Sequence, residues 1–162
     1  MRIRTGAFAV LAAAIVPLLS AASAGAAGAG AVSFTQHFNN QVIFSDPDVN
    51  PCTGAPGTVT GTAKNGVLHI TTLANGTAHA TMTAQGTITF VPDNPADASA
   101  SGRFTAWFGD NINGQNGAST STFHAILSGS DGSRIATHEV FHISTSASGG
   151  SIEFDKPHLT CG

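Results

Sequence analysis

The chain has 162 residues, with six Lys/Arg against nine Asp/Glu, and seven His. Two of the six, Arg2 and Arg4, belong to an N-terminal leader. The mildly acidic remainder argues against nucleic acid or an anionic membrane surface as partner. Charged residues make up only 9% of the chain, so Thr, Ser, Asn and Gly supply most of the polarity, as on a β surface with many turns.

Arg2 and Arg4, the apolar run 7–19 and the small residues Ala22-Ser23-Ala24 read as a signal peptide. Cleavage is expected somewhere after Ala24 to Ala31, which makes 1–31 the leader and 32–162 a single secreted β domain. The apolar run falls short of the roughly 20 residues of a membrane span, and no Cys follows it to take a lipid. The expectation is a freely released, extracellular monomer with no membrane span. About 130 residues remain, enough for one domain with its own core.

Residues 32–38 alternate apolar and polar, and 41–44 form a second short apolar piece. The segment 45–56, with three Pro and two Asp, reads as a loop that delivers Cys52. Residues 58–62 form a modest strand, and Asn65-Gly66 opens another over 67–73. Asn75-Gly76 signals a hairpin whose two-residue turn needs positive φ at both positions. That register pairs His69 with Met82 and turns His69 inward. The sequon formed with Thr77 is a glycosylation signal by letter, but the turn accounts for its Gly.

The stretch 77–91, TAHATMTAQGTITFV, alternates without a break: Ala78, Ala80, Met82, Ala84, Gly86, Ile88 and Phe90 against polar residues. A period of two is a strand signal. At roughly 50 Å the run is too long for a flat strand in a small domain, so it must bend, and Gly86 is the expected bulge or corner. Its small inward side chains leave either a closely packed neighbour or a cavity.

After a loop over 92–101, residues 102–108 alternate again, with Trp107 on the polar side where it could stack on a sugar. The polar stretch 109–117 is a loop that lacks calcium-loop spacing, since Ile112 breaks it. Residues 118–127 and 134–144 form a hairpin, and 151–155 a last strand. No capped helix is legible. The fold class expected is all-β, an antiparallel meander closing into a barrel, with a two-sheet sandwich as the alternative. In an oxidising compartment Cys52 and Cys161 are expected to pair.

His138-Glu139-Val140-Phe141-His142 matches H-E-x-x-H. On a helix this spacing brings two imidazoles to one zinc with the Glu as general base. On a strand the two His stand about 13 Å apart. The run is rich in β-branched and aromatic residues, and a third ligand is missing where the longer signature needs one, so a strand is expected. Ile135, Thr137, Glu139, Phe141 and Ile143 then face the core. His124, His138 and His142 fall on the outer face as metal-ligand candidates, with His124 and His138 as cross-strand neighbours. An inward Glu139 must find a partner or line a wet cavity, and an inward His69 is one candidate, together forming an acid/base pair.

The chain resembles a group of small secreted actinobacterial proteins of uncharacterised function. The resemblance rests on Asn50-Pro51-Cys52, Gly66-Val67-Leu68-His69-Ile70-Thr71, Gly102-Arg103-Phe104-Thr105, Ser130-Asp131-Gly132-Ser133-Arg134, His138-Glu139 with His142, and Asp155-Lys156-Pro157 ending at Cys161. It implies an exported, Cys-bracketed β domain with the His-Glu segment in its β framework, and it transfers no catalytic residue. The leading functional expectation is a non-catalytic binding or interaction module for a small ligand or extracellular partner, with no cofactor. The alternatives are a zinc-dependent hydrolase through His138, Glu139 and His142, or a small barrel cyclase or isomerase using His69 and Glu139 in an apolar cavity.

Overall fold

The computed structural model describes residues 30–149 and 151–162, so the expected leader, 1–31, lies outside the described residues through position 29. Eight strands follow in chain order: β1 (Val32–Phe38), β2 (Gln41–Val49), β3 (Pro56–Thr72), β4 (Ala78–Pro92), β5 (Ala100–Ile112), β6 (Gly117–Gly129), β7 (Arg134–Thr145) and β8 (Ser151–Cys161). They form one antiparallel meander rather than two sheets. Its order is β1-β3-β4-β5-β6-β7-β8, and β2 pairs with β3 beside β1. β1 covers the second half of β3, from Gly66 to Thr72, and β2 covers the first, from Pro56 to Ala63. The two are therefore one edge strand broken at Asn39-Asn40, where Asn40 takes a φ of 51°.

Several boundaries differ from the sequence reading. The segment expected as a loop over 45–56 is strand as far as Val49, with Pro47 in it. A proline is tolerated there because an edge strand has backbone donors that need no partner. The two strands expected over 58–62 and 67–73 are one, β3, kinked by a bulge at Lys64 between Ala63 and Asn65. That bulge lies on the partner of Gly86, while β4 itself runs unbroken. Gly86 is needed for a different reason: an added Cβ would collide with the Thr62 carbonyl oxygen.

One face of the sheet is buried. Ala80, Met82, Ala84, Ile88 and Phe90 of β4 line it, as do Phe104 of β5, Phe123, Ala125 and Leu127 of β6, and Ile135 of β7. A single sheet can bury a face only by curling over it. The ring contacts demonstrate the curl: Phe44 of β2 meets Phe104 edge-on with centroids 5.9 Å apart, although β3 and β4 lie between their strands. Phe104 in turn stacks on Phe123 at 5.8 Å. The sheet is not closed, since among the described residues no ladder joins the β1/β2 edge to β8.

The Cys52–Cys161 disulfide bridges these two edges, with Cα atoms 5.8 Å apart and 109 residues between them in sequence. A tight turn presents Cys52. Buried Asn50 accepts hydrogen bonds from the Cys52 and Thr53 amides through its side-chain oxygen, and from the Gly54 amide through its carbonyl. Closing so long a loop removes on the order of 4 kcal/mol of unfolded-state entropy in the chain-entropy picture. Among the described residues no helix is long and apolar enough to cross a membrane.

Candidate ligand cavity and its carboxyl group

Where the two edges approach, the curled sheet leaves a cavity of about 110 Å³. Its walls are apolar: Phe44, Val59, Ile88, Phe90, Phe123, Ala125, Leu127 and Ile135 come from β2, β3, β4, β6 and β7, and Pro157 and Leu159 close it from β8. Ala125 is the one alanine in this lining, among otherwise larger side chains. The turn that carries Cys52 contributes Asn50 and Pro51 to the rim. The disulfide thus stands beside the cavity it helps to bound.

Among these walls sits Glu139, only 7% exposed. Its Oε2 is buried with no hydrogen-bond partner. Loss of hydration, and secondly the negative charge of Asp155, push its pKa up to about 7. Asp155 is placed by the β7–β8 register: Phe141 pairs with Asp155 and Glu139 with Pro157, so Asp155 stands diagonally next to Glu139 on the same face. From the opposite edge, Asp46 and Asp48 of β2 share the parity of Phe44, opposite Val59 and Gly57. Asp48 lines the cavity, and Asp46 Oδ2 is a second buried oxygen with no hydrogen-bond partner.

His69 is not part of this site. It is exposed and pairs with Thr81, one residue away from the expected register, and it hydrogen-bonds Thr35 at 2.9 Å and Thr71 at 3.1 Å on the outer face. The cause is the turn. The Leu73 amide donates to the Thr77 carbonyl and the Gly76 amide to the Leu73 carbonyl, so the loop has Ala74, Asn75 and Gly76 in it, with Gly76 at φ 81°. This is the three-residue hairpin with a left-handed last residue, not the two-residue form. A slip of one residue exchanges the faces of a strand, and His69 changes sides with it.

The H-E-x-x-H segment lies within β7, so His138 and His142 are four residues apart along one strand. His138 pairs with His124 as expected, with ring centroids 6.2 Å apart, and its other neighbour is His158 of β8. His142 is engaged separately, its Nδ1 2.7 Å from the Thr120 hydroxyl. Among the described residues no group of three or more His, Cys, Asp or Glu side chains converges as a metal ion requires. Trp107 is 41% exposed on the polar side of β5.

At the far end of the curl a wider cavity of about 420 Å³ opens among Phe108, Asp110, Phe141, Ile143 and the 113–116 loop. Burial raises the pKa of Asp110 there, against an opposing hydrogen bond from the Asn111 backbone. Comparison with known protein families, curated proteins and solved structures finds no match.

The inward placement of Glu139 was legible from strand parity. Asp46, Asp48 and His158 were not found, because they lie in segments read as loop or left unassigned, whereas Asp155 closed the last expected strand, 151–155, without a register that tied it to Glu139. The signal was present as alternation around Asp46-Pro47-Asp48 and through the tail beyond 155, masked in each case by a proline.

Proposed function

We propose that this is a secreted, non-catalytic binding module, its sheet curled into a barrel-like shell around a small, largely apolar ligand. The observation that carries the reading is an apolar cavity containing a buried carboxyl, Glu139, one oxygen of which has no hydrogen-bond partner among the described residues. A buried polar group costs free energy unless it is hydrogen-bonded, and a ligand that supplies the bond recovers that cost. The volume approaches the ~150 Å³ of cavities that admit benzene, so the occupant is about the size of a single ring. The disulfide across the open edges supports an exported domain, since such bonds persist in oxidising compartments.

The test is thermal stabilisation by a panel of monocyclic compounds, with Ala125→Leu filling the cavity. Binders should raise the melting temperature of the native protein and have no effect on the filled variant. Equal shifts in both would place binding elsewhere and remove the proposal.

A second reading is favoured by one observation, the Glu139 carboxyl poised at about 7, where a general acid or base works best. It makes the cavity that of a cyclase or isomerase with Glu139 alone, without His69. Turnover of an enolisable ring ketone, followed as deuterium uptake from solvent and abolished in Glu139→Gln, distinguishes catalysis from binding.

A further inference from the structure

The charged groups gathered at the cavity all carry one sign. Glu139 and Asp48 line it. Asp155 stands beside Glu139, Glu153 follows opposite Ile143 on the same face of β8, and Asp46 lies across the open edge. Among the described residues no basic side chain faces them. Lys64, Arg103, Arg134 and Lys156 are all exposed, and Lys156 lies over the Phe154 ring, 5.0 Å from its centroid, on the outer side of β8. The histidines near this edge, His138 and His158, are paired on the outer side. The inner face at the open edge is therefore an acidic field without a protein counter-ion, and its most buried member, Glu139, has an oxygen with no partner.

A metal ion does not suit this arrangement. Hard cations take six or more oxygen ligands, and among the described residues no three carboxylates or imidazoles converge. The rest of the lining is hydrocarbon, with the aromatic faces of Phe44, Phe90 and Phe123 among it. Apolar and aromatic walls combined with carboxylates are the recognition chemistry of organic cations, which offer hydrocarbon to the walls and positive charge to the acid and the ring faces.

We infer that the cavity selects a small organic cation: a primary amine on a single ring or short hydrocarbon, its ammonium donating to Glu139 and its apolar body among the phenylalanines. The inference rests on the binding reading above and adds the charge of the ligand. Asp155 and Asp48 add long-range attraction at the mouth, and Glu139 makes the direct contact. An ammonium favours the ionised carboxyl, so uptake of the cation by the free protein releases a proton from Glu139. Affinity for the amine must then rise with pH through about 7, the value at which Glu139 gives up its proton. A neutral ligand that accepts a hydrogen bond must show the opposite trend.

Calorimetric titration of the oxidised protein with benzylamine, benzyl alcohol and toluene at pH 6 and pH 8 tests this. The three share one ring, and benzylamine is a cation at both pH values. At pH 8 benzylamine should bind at least ~10-fold tighter than benzyl alcohol, and its affinity should rise about 10-fold from pH 6 to pH 8. Glu139→Gln should remove both effects while toluene still binds. If toluene and benzyl alcohol bind but benzylamine is no tighter at either pH, the inference of a cation is overturned and the cavity reading stands. If none of the three binds, the cavity reading falls and takes the inference with it. The pH trend is read on the native protein, so the answer does not depend on how the variant folds.

Discussion

Replacing Glu139 by Gln keeps the shape of the side chain and removes its ability to ionise. In the fold the carboxyl titrates at about 7, against an ordinary 4.5. A group whose acid form is favoured by folding contributes its full stability below 4.5, where both states are protonated. Between 4.5 and about 7 the unfolded chain has lost the proton that the native state still holds, so stability falls as pH rises. Above that window the loss is complete. The separation corresponds to about 3 kcal/mol, and water entering at the open edge screens part of it, leaving about 2 kcal/mol. Urea denaturation followed by the β band of circular dichroism, at half-unit steps from pH 4 to pH 8, measures it. The two proteins should be equally stable at pH 4 and diverge through pH 5–7, with Glu139→Gln about 2 kcal/mol more stable at pH 8. Taking the difference between the two curves cancels the titrating groups that do not interact with Glu139 and leaves only its own term and its coupling to Asp155. Parallel curves across the range would mean that Glu139 is hydrated in the native state, and the reasoning about its burial would be wrong.

Opening the disulfide by Cys52→Ser with Cys161→Ser should cost about 2–4 kcal/mol in urea, and should weaken any cavity ligand as β8 moves away from β2. Adding a methyl group at Gly86 or Gly102 drives a Cβ into the carbonyl oxygen of Thr62 or Ile126. Each Ala variant should lose about 1–3 kcal/mol, readable as a lower urea midpoint, whereas Ala at Gly114, where nothing lies within 4 Å of the new Cβ, should be near neutral. His138→Ala with His142→Ala should keep the β spectrum and cost about 1 kcal/mol, from the lost His142–Thr120 hydrogen bond, and a strong chelator should leave the native protein unchanged. A helical signal lost on chelation would contradict the strand geometry of β7.

The sheet was legible wherever alternation was uninterrupted. The run through Ala80, Met82, Ala84, Ile88 and Phe90 is buried as its period requires, and the pairing of His124 with His138 follows from the same parity. What failed at the β3–β4 hairpin was the count of residues through its turn. Asn75-Gly76 marks a hairpin in either of two loop lengths. Both satisfy the backbone, so the dipeptide alone does not choose between them. That single residue separated an inward His69 from the outward one. The edge strands were hard to read for a related reason. β2 and β8 are each paired on one side only, and prolines at Pro47 and Pro157 are acceptable there. The acids nearest Glu139 lie on these strands, so the electrostatics of the site stayed hidden while its central carboxyl was in plain view.

The cavity is walled by strands from both margins of the sheet, and among the described residues the one covalent link between those margins is a cystine. Its formation depends on redox conditions and not on sequence alone. A newly made copy in a reducing compartment has the same β propensities and the same acids, but nothing holds β8 across from β2. On the binding reading proposed above, ligand capture would await the oxidation that forms this cystine.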